Sequence, residues 1–172
     1  MTPSSEVHRL SFYTSYRQFY FVDRDVEGIT DSPDFWSDDA FKRGIAVSDG
    51  VLGVRTASYG HIRCFFQSAD SEPTLPLAPW QRVVEASIRI TKGRYAILDC
   101  PDSIVDHEGT CPPGDYRLRV YGAFLDQLVE DTAGDCYFDF YWLILWPAPY
   151  SDVRSLKVYD GTHKESAEER RA

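Results

Sequence analysis

The stretch that decides the fold is CYFDFYWLILW, residues 136–146, in which Asp139 is the only charged residue. With the two-residue period of a strand, the even-numbered positions form one apolar face, and the odd-numbered positions form a second one that only Asp139 interrupts. A strand that is apolar on both faces needs cover on both faces, so the stretch predicts the interior of a two-layer structure. A membrane-spanning helix would need about 20 apolar residues, so the stretch 136–146 is too short to be one. A buried helix is the alternative, but the aromatic enrichment and the flanking Gly134 and Pro147 favour a strand.

The rest of the chain predicts further short strands separated by turn signals. Segment 9–22 predicts one long strand or two short ones broken near Thr14, with Leu10, Phe12, Phe19 and Phe21 facing inward. The other predicted strands begin at residue 45, before a hairpin turn at residues 48–50, and cover residues 51–57, 61–66, 82–90, 94–98, 116–121 and 153–159. In two of them the alternation points Glu85, Ser87, Arg89, Arg117 and Arg119 away from the core.

One short helix is predicted at residues 38–43. Ser37 is a suitable N-cap, Asp38 and Asp39 suit the positive end of the helix dipole, and Gly44 is a natural terminator. Segments 67–79 and 99–113 predict long loops. Because strands do not alternate with long helices, we expect an all-β fold: a two-layer antiparallel β-sandwich with one or two short helical turns. One sandwich domain is expected over residues 1–160, with a flexible C-terminal tail over residues 161–172.

Charge and cysteine usage narrow the classes of function. The 172-residue chain carries a formal net charge of −9, which predicts repulsion from nucleic acid and from anionic membranes and suits a basic protein partner. The N-terminus lacks the basic start and apolar segment of a secretory leader. The four cysteines form no metal-binding or redox pair of the CxxC type. We therefore expect a cytoplasmic protein that needs no cofactor.

The acidic segment, residues 23–39, is the strongest candidate for a binding site. It contains seven carboxylates and a single cation, Arg24. Like charges in such density cost stability unless a partner or an ion offsets them. A solvated loop and a calcium site are alternatives, although the spacing does not follow an EF-hand loop. As a docking surface for a basic protein, the segment would contribute the leading contacts Asp31, Asp34, Trp36, Asp38 and Asp39. Asp126, Glu130, Asp131 and Asp135 would extend it if their loop lay on the same edge.

Residues 99–111 support an alternative from another class. A ligand- or metal-binding sandwich, which could be an enzyme, would use this segment with His107, because cysteine, histidine and carboxylate ligands occur together in it. The candidate ligands are Asp99, Cys100, Asp102, Asp106, His107, Glu108 and Cys111. Their spacing matches no known ligand frame. A disulfide between Cys100 and Cys111 is a further possibility for the same loop.

Surface aromatics and sheet edges support two more interpretations. Tyr13, Tyr16, Tyr59 and Tyr121 could form a platform for a carbohydrate or a peptide, although ordinary packing also accounts for aromatic residues in a chain so rich in them. An exposed edge strand could instead make the protein a self-associating structural subunit.

The order of four segments resembles the competence protein J family. The segments are SYRQF at 15–19, FWSDDAFKRGIAVSDGVLGV at 35–54, GDYRLRVY at 114–121 and the aromatic strand after GDCY at 134–137. The resemblance runs from about residue 11 to residue 145. It implies a small, β-rich, cytosolic and non-enzymatic protein, and the best-known member of the family inhibits the nuclease of DNA uptake. The sequence thus predicts a non-catalytic module that blocks a basic protein, such as a nuclease or a toxin.

Overall fold

The computed structural model describes residues 6–100, 104–126 and 139–161. Within these ranges the chain forms strands, one α-helix and one 3-10 turn. The strands are β1 His8–Thr14, β2 Gln18–Asp23, β3 Ile45–Ser48, β4 Val51–Arg55, β5 Gly60–Ser68, β6 Arg82–Ile90, β7 Arg94–Leu98, β8 Val105–Thr110, β9 Gly114–Ala123, β10 Phe140–Pro147 and β11 Arg154–Lys157. The helix α1 is Asp38–Arg43 and the 3-10 turn is Ser15–Arg17. No described helix is long and apolar enough to cross a membrane.

The strands form two sheets that pack face to face. Sheet A has the order β1-β5-β10-β9-β6-β11, and sheet B has the order β3-β4-β2-β7-β8. Neighbouring strands are antiparallel, with the exception of β5 and β10, which are parallel. The chain between these two strands passes through β6, β7, β8 and β9, so it has the length that a parallel return requires. The predicted all-β two-layer sandwich is confirmed.

Strand β10 is covered on both faces, as its sequence predicted. Tyr141, Leu143 and Leu145 point into the core between the sheets. On the other face, Ile144 is buried, and an apolar segment that includes Trp80 packs over it. The second cover is therefore formed by the predicted loop over residues 67–79 and by Trp80, which follows it, and not by a third sheet. Residues 136–138 of the deciding stretch lie outside the described residues.

Segment 9–22 forms two strands that belong to different sheets. β1 lies in sheet A and β2 lies in sheet B, and the chain crosses between them at the Ser15–Arg17 turn. Across the core, the rings of Phe12 and Phe19 meet at a centroid distance of 5.3 Å. All four predicted inward residues contribute to the core, Leu10 as a partly buried member.

Both predicted helix caps of α1 are confirmed. The Ser37 hydroxyl accepts a hydrogen bond from the Ala40 backbone N–H at 3.2 Å, and the Gly44 N–H donates to the Ala40 carbonyl at 2.9 Å. Gly44 has a φ of 80°, which side-chain-bearing residues rarely adopt. A Cβ there would also lie 2.4 Å from the Arg82 guanidinium carbon, so glycine lets this arginine of sheet A pack against the helix end.

The prediction that residues 99–113 form only a loop is wrong. β8 lies inside this range and pairs with β7 at the edge of sheet B. Its sequence VDHEGT lacks the apolar alternation that signals a strand. Gly109 lies opposite Tyr95, and a Cβ on Gly109 would come within 2.3 Å of the Tyr95 hydroxyl. Pairing with β7 therefore makes this segment a strand. The Tyr95 ring of β7 requires a residue without a side chain at position 109.

The outward residues of β6 and β9 lie on the predicted face of sheet A, but several of them are buried. The Glu85 carboxylate accepts from Arg119 Nε at 2.6 Å and from Arg117 Nη2 at 3.1 Å. Arg119 Nη2 also pairs with the Glu72 carboxylate at 2.5 Å, and Arg117 Nη1 donates to the Ser151 carbonyl at 2.9 Å. The loops that contain Glu72 and Ser151 cover this face and remove the ion cluster from water.

The domain limits stay predictions. Residues 162–172 lie outside the described residues, so the expected flexible tail is untested, as is the boundary of the sandwich domain at residue 160.

We expect Glu85→Ala to lower the free energy of unfolding by about 3–5 kcal/mol, because it leaves two buried guanidinium groups without their shared carboxylate. Urea denaturation at pH 7 measures the loss. Arg89→Ala is the matched control, since it breaks the exposed Arg89–Asp115 pair of the same sheet and should change stability little. Equal losses in the two variants would contradict a buried role for Glu85.

Candidate functional site

Two carboxylates of the acidic segment are part of the fold's own bonding. The buried Asp23 carboxylate accepts from the Thr91 backbone N–H at 2.8 Å and from the Thr91 hydroxyl at 2.7 Å. Asp25 forms a two-point ion pair with the Arg94 guanidinium, whose hydrogen bonds hold the pKa of Asp25 below its ordinary value. Neither group is available to a partner.

The other five carboxylates of the segment point into solvent: Glu27, Asp31, Asp34, Asp38 and Asp39. None of them forms an ion pair with another residue in the described part of the chain. Beneath them, Phe35 is buried against the outer face of sheet B together with Val51. A Cβ at Gly53 would come within 2.9 Å of the Phe35 ring, so this glycine provides the space in which the segment packs.

Trp36 lies between the exposed carboxylates but has a partner inside the protein. Its side chain is half-buried, and its indole N–H donates to the Gln18 side-chain oxygen at 2.6 Å. The bond fixes the chain just before Ser37 and so orients the start of α1 relative to β2. The assignment of Asp31, Asp34, Trp36, Asp38 and Asp39 as partner contacts stays a prediction, with the four carboxylates accessible and the tryptophan already hydrogen-bonded. Glu130, Asp131 and Asp135 of the proposed extension lie outside the described residues, whereas Asp126 is exposed.

Three of the four singled-out tyrosines come together at one end of the sandwich. The Tyr59 ring lies edge-on to Tyr13 and to Tyr16, each at a centroid distance of 6.1 Å. We call Tyr13, Tyr16 and Tyr59 the aromatic rim. His61 meets Tyr13 at 5.1 Å beside it. Tyr121 is elsewhere: it is fully buried and packs on Trp80 at 5.2 Å.

A buried carboxylate supports the loop that presents Tyr59. Asp139 accepts from the Ser58 hydroxyl at 2.5 Å, from the Tyr141 hydroxyl at 2.8 Å, and from the backbone N–H groups of Ala57 and Ser58 at 3.1 Å each. Burial raises the pKa of Tyr141 well above its ordinary value, so its hydroxyl keeps the proton that it donates. The sequence marked Asp139 as the odd charge in an apolar stretch, but its partners 81 and 82 residues away could not be read from it.

The predicted ligands of the 99–111 segment that the structure describes are not assembled at one place. Cys100 and Cys111 are thiols and not a disulfide: Cys100 accepts a hydrogen bond from the Tyr20 hydroxyl at 3.4 Å, and the Cys111 N–H is bonded to the Gly93 carbonyl. Among the described residues, no three histidine, cysteine or acidic side chains are grouped closely enough to hold a metal ion. Asp102 lies outside the described residues.

Asp106 and His107 are half-buried neighbours in the edge strand β8. Asp106 Oδ2 and His107 Nε2 are buried and have no hydrogen-bond partner among the described residues. Burial, reinforced by Asp99, raises the pKa of Asp106 to about 7. Burial and the neighbouring His8, whose ring centroid lies 4.5 Å away, lower the pKa of His107. Two such groups are a source of pH-dependent stability.

A cavity of about 350 Å³ opens where β5 and β10 end and β9 begins, lined in part by Thr110, Cys111, Tyr116 and Leu145. This volume falls in the range of small-molecule pockets. The Tyr116 hydroxyl donates to the Pro112 carbonyl at 2.7 Å, so it is already engaged within the wall. The cavity therefore offers mainly apolar contact.

Comparison with known proteins gives matches among solved structures. No protein-family model and no curated protein matches the sequence. The structure of ComJ from Bacillus subtilis, described as an inhibitor of the DNA degrading activity of NucA, aligns with a TM-score of 0.61 and 22% sequence identity. The alignment covers 86% of this chain and 99% of ComJ. The protein has the ComJ fold.

A second structure, described as crocagin biosynthetic gene J, aligns with a TM-score of 0.57 and 19% identity over 84% of this chain and 98% of the other. The resemblance to competence protein J that the sequence suggested is thus confirmed at the level of the fold. The two neighbours carry different descriptions, so the ComJ fold by itself does not assign a function.

The Asp106 pKa predicts a pH-dependent stability. Between about pH 4 and 7 the folded carboxyl keeps its proton while the unfolded one releases it, so the folded state binds more protons and stability falls as the pH rises. We expect Asp106→Asn to be more stable than the wild type at pH 8 and to lose this advantage at pH 5. Urea denaturation at both values measures it, with Glu108→Gln, an exposed carboxyl of the same strand, as the control. A constant difference at the two pH values would contradict the prediction.

Proposed function

We propose that this protein is a non-catalytic inhibitor that binds a nuclease and blocks its DNA-binding surface with an acidic surface of its own. The observation that carries the proposal is the set of five exposed carboxylates on the acidic segment, which have no ion-pair partner among the described residues. The ComJ fold supports it, because ComJ is an inhibitor of a nuclease.

The physical basis is the free energy of uncompensated charge. Carboxylates that repel one another lower the stability of the isolated protein, and a cationic partner converts this repulsion into attraction. A nuclease that binds DNA needs a surface that attracts phosphates, and carboxylates at phosphate-like positions compete for it. Long-range attraction between the net charge of −9 and a basic partner would raise the association rate. In this mechanism Asp31, Asp34, Asp38 and Asp39 make the leading contacts.

The surroundings of the thiols and of His107 favour binding over catalysis. The Cys64 thiol is fully buried and its pKa is raised, which makes it a poor nucleophile. His107 packs against His8 and Phe66, and its Nε2 has no nucleophile as a hydrogen-bond partner among the described residues. The cytoplasm, where cysteines stay reduced, is the compartment we propose for the protein.

A second candidate function is the binding of a small apolar molecule in the 350 Å³ cavity. The second structural neighbour supports it, since its description places that protein in a biosynthetic system. Titration with apolar probes, followed by the quenching of tryptophan emission, distinguishes the two candidates, because an inhibitor needs no such ligand.

We expect the protein to inhibit cleavage of plasmid DNA by NucA or by the most similar nuclease encoded in its source genome. The association rate should fall at least about tenfold between roughly 0.03 M and 0.3 M salt, because salt screens the attraction between exposed charges. Stopped-flow or surface-plasmon measurements give the rate. A rate that does not respond to salt would rule out the acidic mechanism.

The double variant Asp38→Asn/Asp39→Asn should associate several-fold more slowly than the wild type at low salt, because it removes two steering charges. Both side chains are exposed, so the fold should tolerate the change. The double variant Asp70→Asn/Asp152→Asn is the matched control: it removes the same number of exposed carboxylates, both outside the acidic segment. Equal association rates for the control and the Asp38→Asn/Asp39→Asn variant would show that net charge, and not the segment, governs binding.

A further inference from the structure

The aromatic rim and the start of α1 lie at the same end of the sandwich. The Arg17 carbonyl, in the turn that carries Tyr16, accepts from the Thr56 N–H at 2.8 Å. The Gln18 side chain holds the Trp36 indole at 2.6 Å, just before the N-cap of α1. From β4, Arg55 Nη1 donates to the Phe41 carbonyl within α1 at 3.2 Å. These bonds join the 15–17 turn, the 56–59 loop and the helix into one continuous surface.

The backbone of this end is held in a strained conformation that displays aromatic side chains. Tyr16 and Arg17 have φ values of 57° and 55°, and Phe124, which follows β9 at the same end, has a φ of 58°. These are the non-glycine residues with left-handed φ in the described part of the chain. The conformation costs about 1–2 kcal/mol per residue relative to the right-handed one. Strain of this kind persists only where the surrounding structure fixes it, and it clusters at functional sites.

Two of the strained residues, Tyr16 and Phe124, and the neighbouring Tyr59 keep large rings in water. Tyr16 is 65% exposed, Phe124 49% and Tyr59 41%. Rings that stabilised the fold would be buried in it. The edge-on contacts of Tyr59 with Tyr13 and Tyr16 cover only part of each ring, so the remaining ring surface is open to a partner. Exposed tyrosines that become buried on association are among the commonest binding hot spots.

Hydrogen bonds below the surface fix the rim before any partner arrives. The Thr14 hydroxyl donates to the Gly60 carbonyl at 2.9 Å, and the Thr56 hydroxyl donates to the Ser58 carbonyl at 2.8 Å. Together with the Asp139 hydrogen bonds to Ala57 and Ser58, they hold the loop that carries Tyr59. A pre-formed surface loses little conformational entropy on binding, which raises its affinity.

Two guanidinium groups at this end already lie over rings of the same chain. The Arg55 guanidinium carbon is 3.5 Å from the Phe41 ring centroid, and that of Arg63 is 5.6 Å from the Phe124 and Phe140 centroids. The first-turn carboxylates Asp38 and Asp39, by contrast, have no ion-pair partner among the described residues. Charge complementarity therefore favours a partner with a basic surface at the helix side of the rim. Lysine or arginine side chains of such a partner would also be attracted to the exposed faces of the tyrosines.

We propose that the aromatic rim is the anchor of the nuclease interface, and that the carboxylates of α1 steer the same partner onto it. This inference rests on the proposed inhibitor function and adds a division of roles. The carboxylates act through the association rate, whereas burial of Tyr16 and Tyr59 slows dissociation.

The decisive variant is Tyr16→Gly, because glycine adopts the left-handed φ of this position without strain. We expect the melting temperature to stay the same or to rise, while the dissociation rate from NucA, or from its most similar homologue in the source genome, increases at least about tenfold. Tyr59→Ala should also speed dissociation. Tyr150→Ala is the matched control: Tyr150 is 57% exposed and lies near the start of β9, at the opposite end of the sandwich, so both rates should stay within twofold of the wild type.

Each result is informative. Inhibition by the wild-type protein with unchanged dissociation of both rim variants would overturn the rim and leave the inhibitor function in place. No inhibition of either nuclease by the wild-type protein would overturn both. The rim is also refuted if the wild type binds a single-stranded oligonucleotide and Tyr16→Gly does not, because stacking of bases on the tyrosines beside Arg17 would then be its role.

Discussion

The hydrogen-bonded, buried carboxylate of Asp139 is the interaction on which the end of the sandwich that carries the aromatic rim depends. A charge inside a protein is tolerated only when hydrogen bonds replace its hydration. Here four donors do so, three of them from Ala57 and Ser58 and one from Tyr141. The buried Arg82 guanidinium adds a favourable positive potential and donates to the Arg55 carbonyl at 2.5 Å. Arg82 thereby holds the end of β4 in sheet B, and Asp139 holds the loop that leads from β4 to β5 of sheet A.

The hydrogen bonds of Asp139 connect the core of the sandwich to the exposed loop that carries Tyr59. Tyr59 follows Ser58 directly, so the buried Asp139 carboxylate that binds Ser58 also sets the position of an exposed ring. The crossing of the chain from β1 to β2 presents Tyr16 on the other side of that ring, at the cost of two left-handed residues. The left-handed strain at this exposed end lowers the stability of the isolated fold. A surface held rigid in this way would lose little conformational entropy on binding a partner.

The regular elements were predictable because their signals are local. The alternation of β6 and the turn before β7 gave both strands with their observed bounds, and Ser37 and Gly44 cap α1 as expected. β8 was missed because VDHEGT carries no periodic apolar signal, and its strand form results from pairing with β7. The alternation also placed Arg117 and Arg119 on the correct face. It could not show that distant loops cover that face and bury both side chains.

The sequence by itself determined the two-layer β fold, the helix and its caps, and the location of a dense acidic segment, because these follow from the spacing of neighbouring residues. Only the tertiary structure decided which carboxylates of that segment are exposed, since the partner of Asp25 is Arg94, 69 residues away. It also decided that Tyr13, Tyr16 and Tyr59 form one surface while Tyr121 is buried. The physical reason is that contacts between distant residues depend on the order and register of strands in two sheets, and no local period of the chain encodes that order.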